Sequence, residues 1–279
     1  MKIAIVGLGL IGGSLAKAIK KNTDDTVYGI DVSDTTVAAA LSEEAVDYPI
    51  ELDRLDICDI VIVALHPQET IDFILENKNR FKKNGIVIDC CGVKQAIVDA
   101  VEKPLEDAGV RFIGCHPMAG REFSGFAYSL DNLFEKASFI MTPTDNSKMS
   151  AVKEVSAFAY KIGFAKCVVS SPAEHDEIIA FTSQLAHVVS SAYIKSPTLD
   201  KKSGFSAGSF KDLTRVAKLN ADMWTTLFMM NSGALTNELD HIIKELTAYR
   251  DCISQGDREK LHELLSEGTR LKEKANMMY

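Results

Sequence analysis

Short apolar runs alternate with amphipathic stretches over the first 170 residues. KIAIV (2–6) leads into a glycine turn and a helical pattern reaching about Lys20. VYGID (27–31) reads as a second strand, and Asp34 is expected to cap a helix running to about Leu41. DIVIVAL (59–65) and GIVIDCC (85–91) are apolar almost throughout, as strands buried on both faces of a parallel sheet should be. Helical patterns cover about 70–80 and 95–107. RFIGC (111–115), ASFIMT (137–142) and AKCVVS (165–170) are further strands, with a helix over about 147–162 between the last two. This rhythm predicts an α/β domain over residues 1–170, a doubly wound Rossmann-type parallel sheet.

From Pro172 the strand pattern stops, so residues 171–279 are expected to form an all-helical domain. Its helices fall at about 172–195, 207–218, 221–250 and 256–275, with the polar loop KSPTLDKKSG (195–204) after the first. Ile178–Ile194 holds no formally charged residue if histidine is neutral. It is too short and too often interrupted by polar residues to span a bilayer. It predicts a helix packed on other helices, across a subunit interface. Ile178, Phe181, Leu185, Val188 and Ala192 form its apolar stripe; Gln184, His187 and Ser191 lie on another face.

Composition narrows the function. The 279 residues suffice for two domains, and 46% hydrophobic with 25% charged residues fits an ordinary globular chain. A formal net charge of −8 excludes a broad nucleic-acid-binding surface. Six cysteines form no CxxC pair, which implies free thiols in a reducing, cytoplasmic compartment and no metal site. The N-terminal MKIAIVGLGLIGGSLAKA imitates a signal peptide, but its glycine spacing gives it another meaning.

That spacing is G-x-G-x-x-G, filled by Gly7, Leu8, Gly9, Leu10, Ile11 and Gly12, after a strand and at the start of a helix. Gly7 permits the turn, Gly9 lets a pyrophosphate approach, and Gly12 lets helix pack on strand. Free N–H groups at the helix start suit the phosphates. Asp31 closes the second strand, where a carboxylate binds a ribose 2′-hydroxyl and repels a 2′-phosphate. NAD is therefore the expected cofactor.

GCHPMAGREFSG (114–125) follows the strand RFI, and a plain turn has no need of a histidine. In an open sheet, chain leaving the carboxyl end of a strand faces the ligand crevice. His116 is thus placed to accept an alcohol proton while hydride leaves for the cofactor. Activity is then expected to rise through the ordinary histidine pKa of ~6.5. In GSFKDLTRVAK (208–218), Lys211, Arg215 and Lys218 are expected on one helix face, with Arg215 forking a carboxylate.

Together these segments resemble the prephenate/arogenate dehydrogenase family. The resemblance spans both halves and rests on GLGLIG, DCCGVK (89–94), GCHPMAGREFSG, EHDEIIAFTSQLAH and GSFKDLTRVA. It implies NAD-dependent oxidation of the ring hydroxyl of prephenate with loss of carbon dioxide, giving 4-hydroxyphenylpyruvate on the route to tyrosine. By resemblance, His116 bonds the reacting hydroxyl and Arg215 binds a substrate carboxylate, with help from Lys211. His187 and Gln184 lie near the substrate, and Glu122 acts as a gate partner for Lys211 or Arg215. The cofactor set comprises the six residues of the glycine motif with Asp31, His66 and Gly92. The family's dimer, formed through the helical domain, is the expected partner. Two positions depart from the family pattern: Gly92 stands where a serine is frequent, and Gln184 where a histidine is. No appended regulatory or mutase domain is expected.

Arogenate, with an amine for the keto group, is the nearest alternative substrate; His187 favours prephenate by analogy. A β-hydroxyacid dehydrogenase or imine reductase would leave HPMAG unexplained. A non-enzymatic NAD sensor would want a basic DNA-reading segment, which the sequence lacks.

Overall fold

A computed structural model describes residues 1–205 and 207–277. Eight strands form one sheet: β1 (Lys2–Val6), β2 (Thr26–Ile30), β3 (Tyr48–Pro49), β4 (Ile60–Val63), β5 (Ile86–Asp89), β6 (Arg111–Pro117), β7 (Ser138–Thr142) and β8 (Lys166–Val169). Their spatial order is β3-β2-β1-β4-β5-β6-β7-β8. Helices α1 (Leu10–Asn22), α2 (Asp34–Ser42), α3 (Pro67–Asn77), α4 (Gln95–Asp107) and α5 (Met149–Lys161) provide the crossovers. β1 pairs with both β2 and β4 in parallel, so the strand order reverses direction at β1, beside the glycine loop. Ile3, Ile5, Ile62 and Ile88 point into one apolar layer; Ala4, Val61, Val63 and Val87 point into the other. Burial on both faces explains why these strands read as unbroken apolar runs.

Three details go beyond or depart from the sequence pattern. The sheet is not wholly parallel, because β7 runs antiparallel to β6. The chain between them contains only a short 3₁₀ turn at Phe126–Tyr128, and an antiparallel return needs no helical crossover. β3 was not visible in the pattern: it is two residues long, and Pro49 confines it to the sheet edge. The cap of α2 is Ser33, whose Oγ accepts from Thr36 N at 3.2 Å; Asp34 is the first helical residue.

The helical part consists of α6 (Pro172–Ile179), α7 (Leu185–Tyr193), α8 (Gly208–Thr214), α9 (Ala221–Met230), α10 (Ser232–Gln255) and α11 (Arg258–Asn276). The expected single helix over 172–195 is split by a π-helical turn at Ala180–Gln184, which rotates one face against the next. Leu185 of the expected stripe is buried, but Ile178 and Phe181 are 49% and 62% exposed. The expected helix over 221–250 breaks at Asn231, whose side chain turns inward. The interior of these helices is small, built on Ala180, Leu185 and Leu235. Tyr193, Met229, Ile243 and Leu246 remain exposed.

Candidate active site

The glycine loop carries the geometry a pyrophosphate needs. Gly7 has φ +87°, open to glycine but strained for other residues. A Cβ at Gly12 would lie 1.9 Å from Gly7 O, so α1 touches the loop at a position that admits no side chain. A Cβ at Gly9 would meet nothing within 4 Å, so that side of the loop is open. Gly9 precedes α1 without offering a side-chain cap, which leaves the N–H groups of Leu10 and Ile11 to an anion. Asp31 lies just past β2. Its Oδ2 accepts from Leu8 N at 2.8 Å and its Oδ1 from Ser33 N at 2.9 Å. The carboxylate thus fixes the glycine loop to the end of β2. Leu8 differs from expectation: its side chain is in the core and its N–H is committed to Asp31, so it shapes the loop instead of touching a ligand. His66 is exposed at the start of α3. It follows Ala64 and Leu65, which pack against Gly7.

His116 sits near the carboxyl end of β6, and the parts that hold it come from four elements. Asp89, at the end of β5, accepts from Cys91 N at 2.9 Å and from Cys115 N at 3.0 Å. Lys94, fully buried, forms an ion pair with Asp89 and donates to Cys115 O at 2.7 Å. Burial opposes the charge of Lys94, but the Asp89 carboxylate outweighs it and the amine's pKa is raised. This pair clamps β5 to β6 at the residue before His116.

Behind the imidazole stand His175 and Asp176 of α6, both buried. His116 Nδ1 lies 3.0 Å from His175 Nε2, and His175 Nδ1 lies 2.7 Å from Asp176 Oδ1. Asp176 also accepts from Lys94 N at 2.7 Å and Gln95 N at 2.9 Å, closing the start of α4. Backbone N–H groups can only donate, which makes Asp176 the acceptor. The protons follow from that assignment. Neutral His175 donates from Nδ1 and accepts at Nε2; His116 then donates from Nδ1 and carries its lone pair on Nε2. Burial, His175 and Lys94 together push the His116 pKa well below the ordinary histidine value. The expected titration of His116 itself near 6.5 is corrected accordingly.

Gly92 faces the lone-pair nitrogen. A Cβ there would sit 3.9 Å from His116 Nε2, 3.8 Å from Cε1 and 3.7 Å from Leu227 of α9. There is room for a small side chain, and none is present.

The helical part supplies the opposite wall. Arg215, just past α8, has its Nη1 4.0 Å from Oε1 of Glu122, in the loop after His116. Both side chains are 68% exposed. α8 ends at Thr214, so Lys218 lies beyond it and the expected three-cation face is not formed. Lys211 is exposed on α8, and among the described residues it makes no ion pair. His187 Nδ1 donates to Val216 O at 3.2 Å, and its ring lies 3.9 Å from that of Trp224. Burial lowers the His187 pKa, as does Arg215, against the opposing pull of Val216 O. Gln184 departs from the substrate contact expected of it. It is 2% exposed, accepts from Asn231 Nδ2 at 2.8 Å and donates to Leu227 O at 3.4 Å, so both ends of its amide serve packing. Asn231 also donates to Asp176 O at 2.8 Å, tying α10 to α6.

The sequence reading missed His175, Asp176, Lys94 and Trp224. The adjacent His-Asp pair at the start of a helix was a usable signal, since a carboxylate beside an imidazole fixes its tautomer. Lys94 gave none, because burial of a lysine cannot be read from its neighbours in sequence.

Two family models match the chain: "Prephenate dehydrogenase, nucleotide-binding domain" over residues 15–169, and "Prephenate dehydrogenase, dimerization domain" over residues 171–267. The prephenate dehydrogenase of Bacillus subtilis (strain 168) is 32% identical over 273 residues, covering 93% of this chain and 72% of the relative. Among solved structures, prephenate dehydrogenase from A. aeolicus in complex with hydroxyphenyl propionate and NAD+ superposes with a TM-score of 0.86. It is 27% identical and covers 99% of this chain and 98% of the other. Synechocystis arogenate dehydrogenase superposes with a TM-score of 0.84 at 27% identity, covering 99% and 100%.

Proposed function

Because the chain belongs to the prephenate dehydrogenase family, we propose that it catalyses the oxidative decarboxylation of prephenate to 4-hydroxyphenylpyruvate with NAD. The observation that carries the reading is the lone-pair nitrogen of His116, open beside Gly92 at the carboxyl ends of the strands that hold the glycine loop.

His116 Nε2 accepts the proton of the ring hydroxyl as the carbonyl forms. The N–H groups of Leu10 and Ile11 and the Asp31 carboxylate would hold NAD, which would supply the hydride acceptor. Loss of the ring carboxylate as carbon dioxide makes the ring aromatic. Arg215 grips a substrate carboxylate, aided by Lys211. Glu122 holds Arg215 until then: an exposed pair at 4.0 Å is weak, so an incoming carboxylate displaces it readily. His187 borders the substrate side chain. Gly92 leaves the reacting hydroxyl without a serine partner, and His116 alone takes its proton. His66 borders the cofactor from the β4 side.

Residues 1–170 form the nucleotide-binding unit and 171–279 the substrate and dimerisation unit. The partner is a second copy of the chain. Exposed apolar side chains on the helices and the family model matched there support that pairing. All six cysteines are free, which supports a reducing, cytoplasmic setting. No described helix is long and apolar enough to cross a membrane.

Arogenate is a second reading with one observation in its favour. His187 donates from Nδ1 to Val216 O, so a neutral ring offers a lone pair on Nε2, and an ammonium satisfies that better than a keto oxygen. Parallel kinetics with NAD on the two substrates decide between them. NADH formation with a higher kcat/KM on prephenate is the expected result; no NADH from either contradicts the function.

A further inference from the structure

Asp176 carries more hydrogen bonds than a helix cap requires. It closes α4 through Lys94 N and Gln95 N, and it also holds the imidazole of His175, which in turn holds His116. The line from Asp176 to His116 Nε2 is continuous and points at the position where a substrate proton is released.

We propose that His175 and Asp176 form a proton relay behind His116. As the substrate hydroxyl gives its proton to His116 Nε2, the proton on His116 Nδ1 passes to His175 Nε2 in the same step. This assignment rests on His116 being the base. One O–H bond and one N–H bond break, and two N–H bonds form. The hydride leaving with the cofactor balances the electrons. His116 ends neutral with its proton on Nε2, and the positive charge ends on His175 beside the Asp176 carboxylate.

The electrostatics of the pocket favour that outcome. His116 sits where burial opposes a charged ring, and the buried ammonium of Lys94 lies near it. His175 has an acceptor carboxylate at 2.7 Å. The charged and titratable groups facing the pair are Asp176 on α6, Lys94 before α4 and Asp89 on β5. The last two are locked to each other. α10 contributes the neutral Asn231. His175 and Asp176 are thus positioning residues that act through His116, and they share its protonation as a unit.

The relay has a consequence for pH. If His175 gains a proton before substrate arrives, its Nε2 becomes a donor. His116 must then accept at Nδ1 and carry its own proton on Nε2, which removes the base. The acid limb of activity therefore belongs to the unit and not to His116 alone.

His175→Gln separates relay from scaffold, because the amide oxygen still accepts from His116 Nδ1 but cannot take its proton. The expected result is a kcat lowered by about a hundredfold, unchanged NAD affinity, and an acid limb moved to lower pH. The limb moves down because His116, still held low by burial and by Lys94, then sets it without His175. An acid limb that stays in place, with or without a loss of rate, overturns the relay. A proton inventory of kcat on the unsubstituted enzyme in mixed light and heavy water tests it without a variant. A bowed dependence, two protons in flight, is expected; a straight line contradicts the relay even if His175→Gln fails to fold. Absence of NADH formation takes down the function and the relay together, whereas an active enzyme with an unmoved limb takes down the relay alone.

Discussion

At the scale of single residues, chemistry is carried by lone pairs and charges whose direction the neighbours fix. The lone pair of His116 is left on Nε2 because Nδ1 is engaged by His175, and the sequence showed the histidine without showing what engaged it. Arg215 was legible as a guanidinium in an acidic chain, and its position 4.0 Å from Glu122 brings it to the loop that follows His116. Replacing it by Gln removes the bidentate fork but keeps a donor. Arg215→Gln should raise KM for prephenate at least tenfold, the ~1.4 kcal/mol step that charge-assisted bonds readily supply. kcat should change less; steady-state kinetics with an unchanged KM would remove Arg215 from the carboxylate site. Gln184 was misjudged for a physical reason: a polar residue at helical spacing from His187 can point either at a ligand or at a neighbouring helix, and here Asn231 takes it.

At the scale of elements, the strands were legible because burial on both faces leaves an unbroken apolar run, and the glycine turn because only glycine fits it. The direction of β7 was not, since strand pattern does not encode direction. Nor was the π turn at 180–184, because one added residue changes which side chains share a face without altering composition. Asn231 locks that turn to α10 through Asp176 O and Gln184 Oε1. Asn231→Ala leaves the buried Gln184 Oε1 without its donor and takes one of two from Asp176 O, and should cost about 1–3 kcal/mol. Denaturant unfolding checks this, and a loss well under ~0.5 kcal/mol, within the scatter of ordinary surface changes, would mean the bonds are dispensable.

At the scale of the whole molecule, the helical unit has a small interior and a wide apolar exterior, which a second copy of the chain would cover. Phe181→Asp, on the exposed side of the π turn, should shift the protein from dimer to monomer in analytical ultracentrifugation; an unchanged dimer places the interface elsewhere. The change from strands to helices at Pro172 was legible from the stop in strand pattern, whereas the hydrogen bonds joining α6 to the start of α4 were not, because they link residues up to 82 positions apart. The central claim is that His116, held by those bonds, takes the substrate proton. It is tested most directly by kcat of His116→Asn at saturating NAD and prephenate, with NAD affinity measured alongside. The prediction is a fall of about 10²–10⁴-fold with NAD affinity unchanged; a kcat within a few-fold of the unsubstituted enzyme would contradict it.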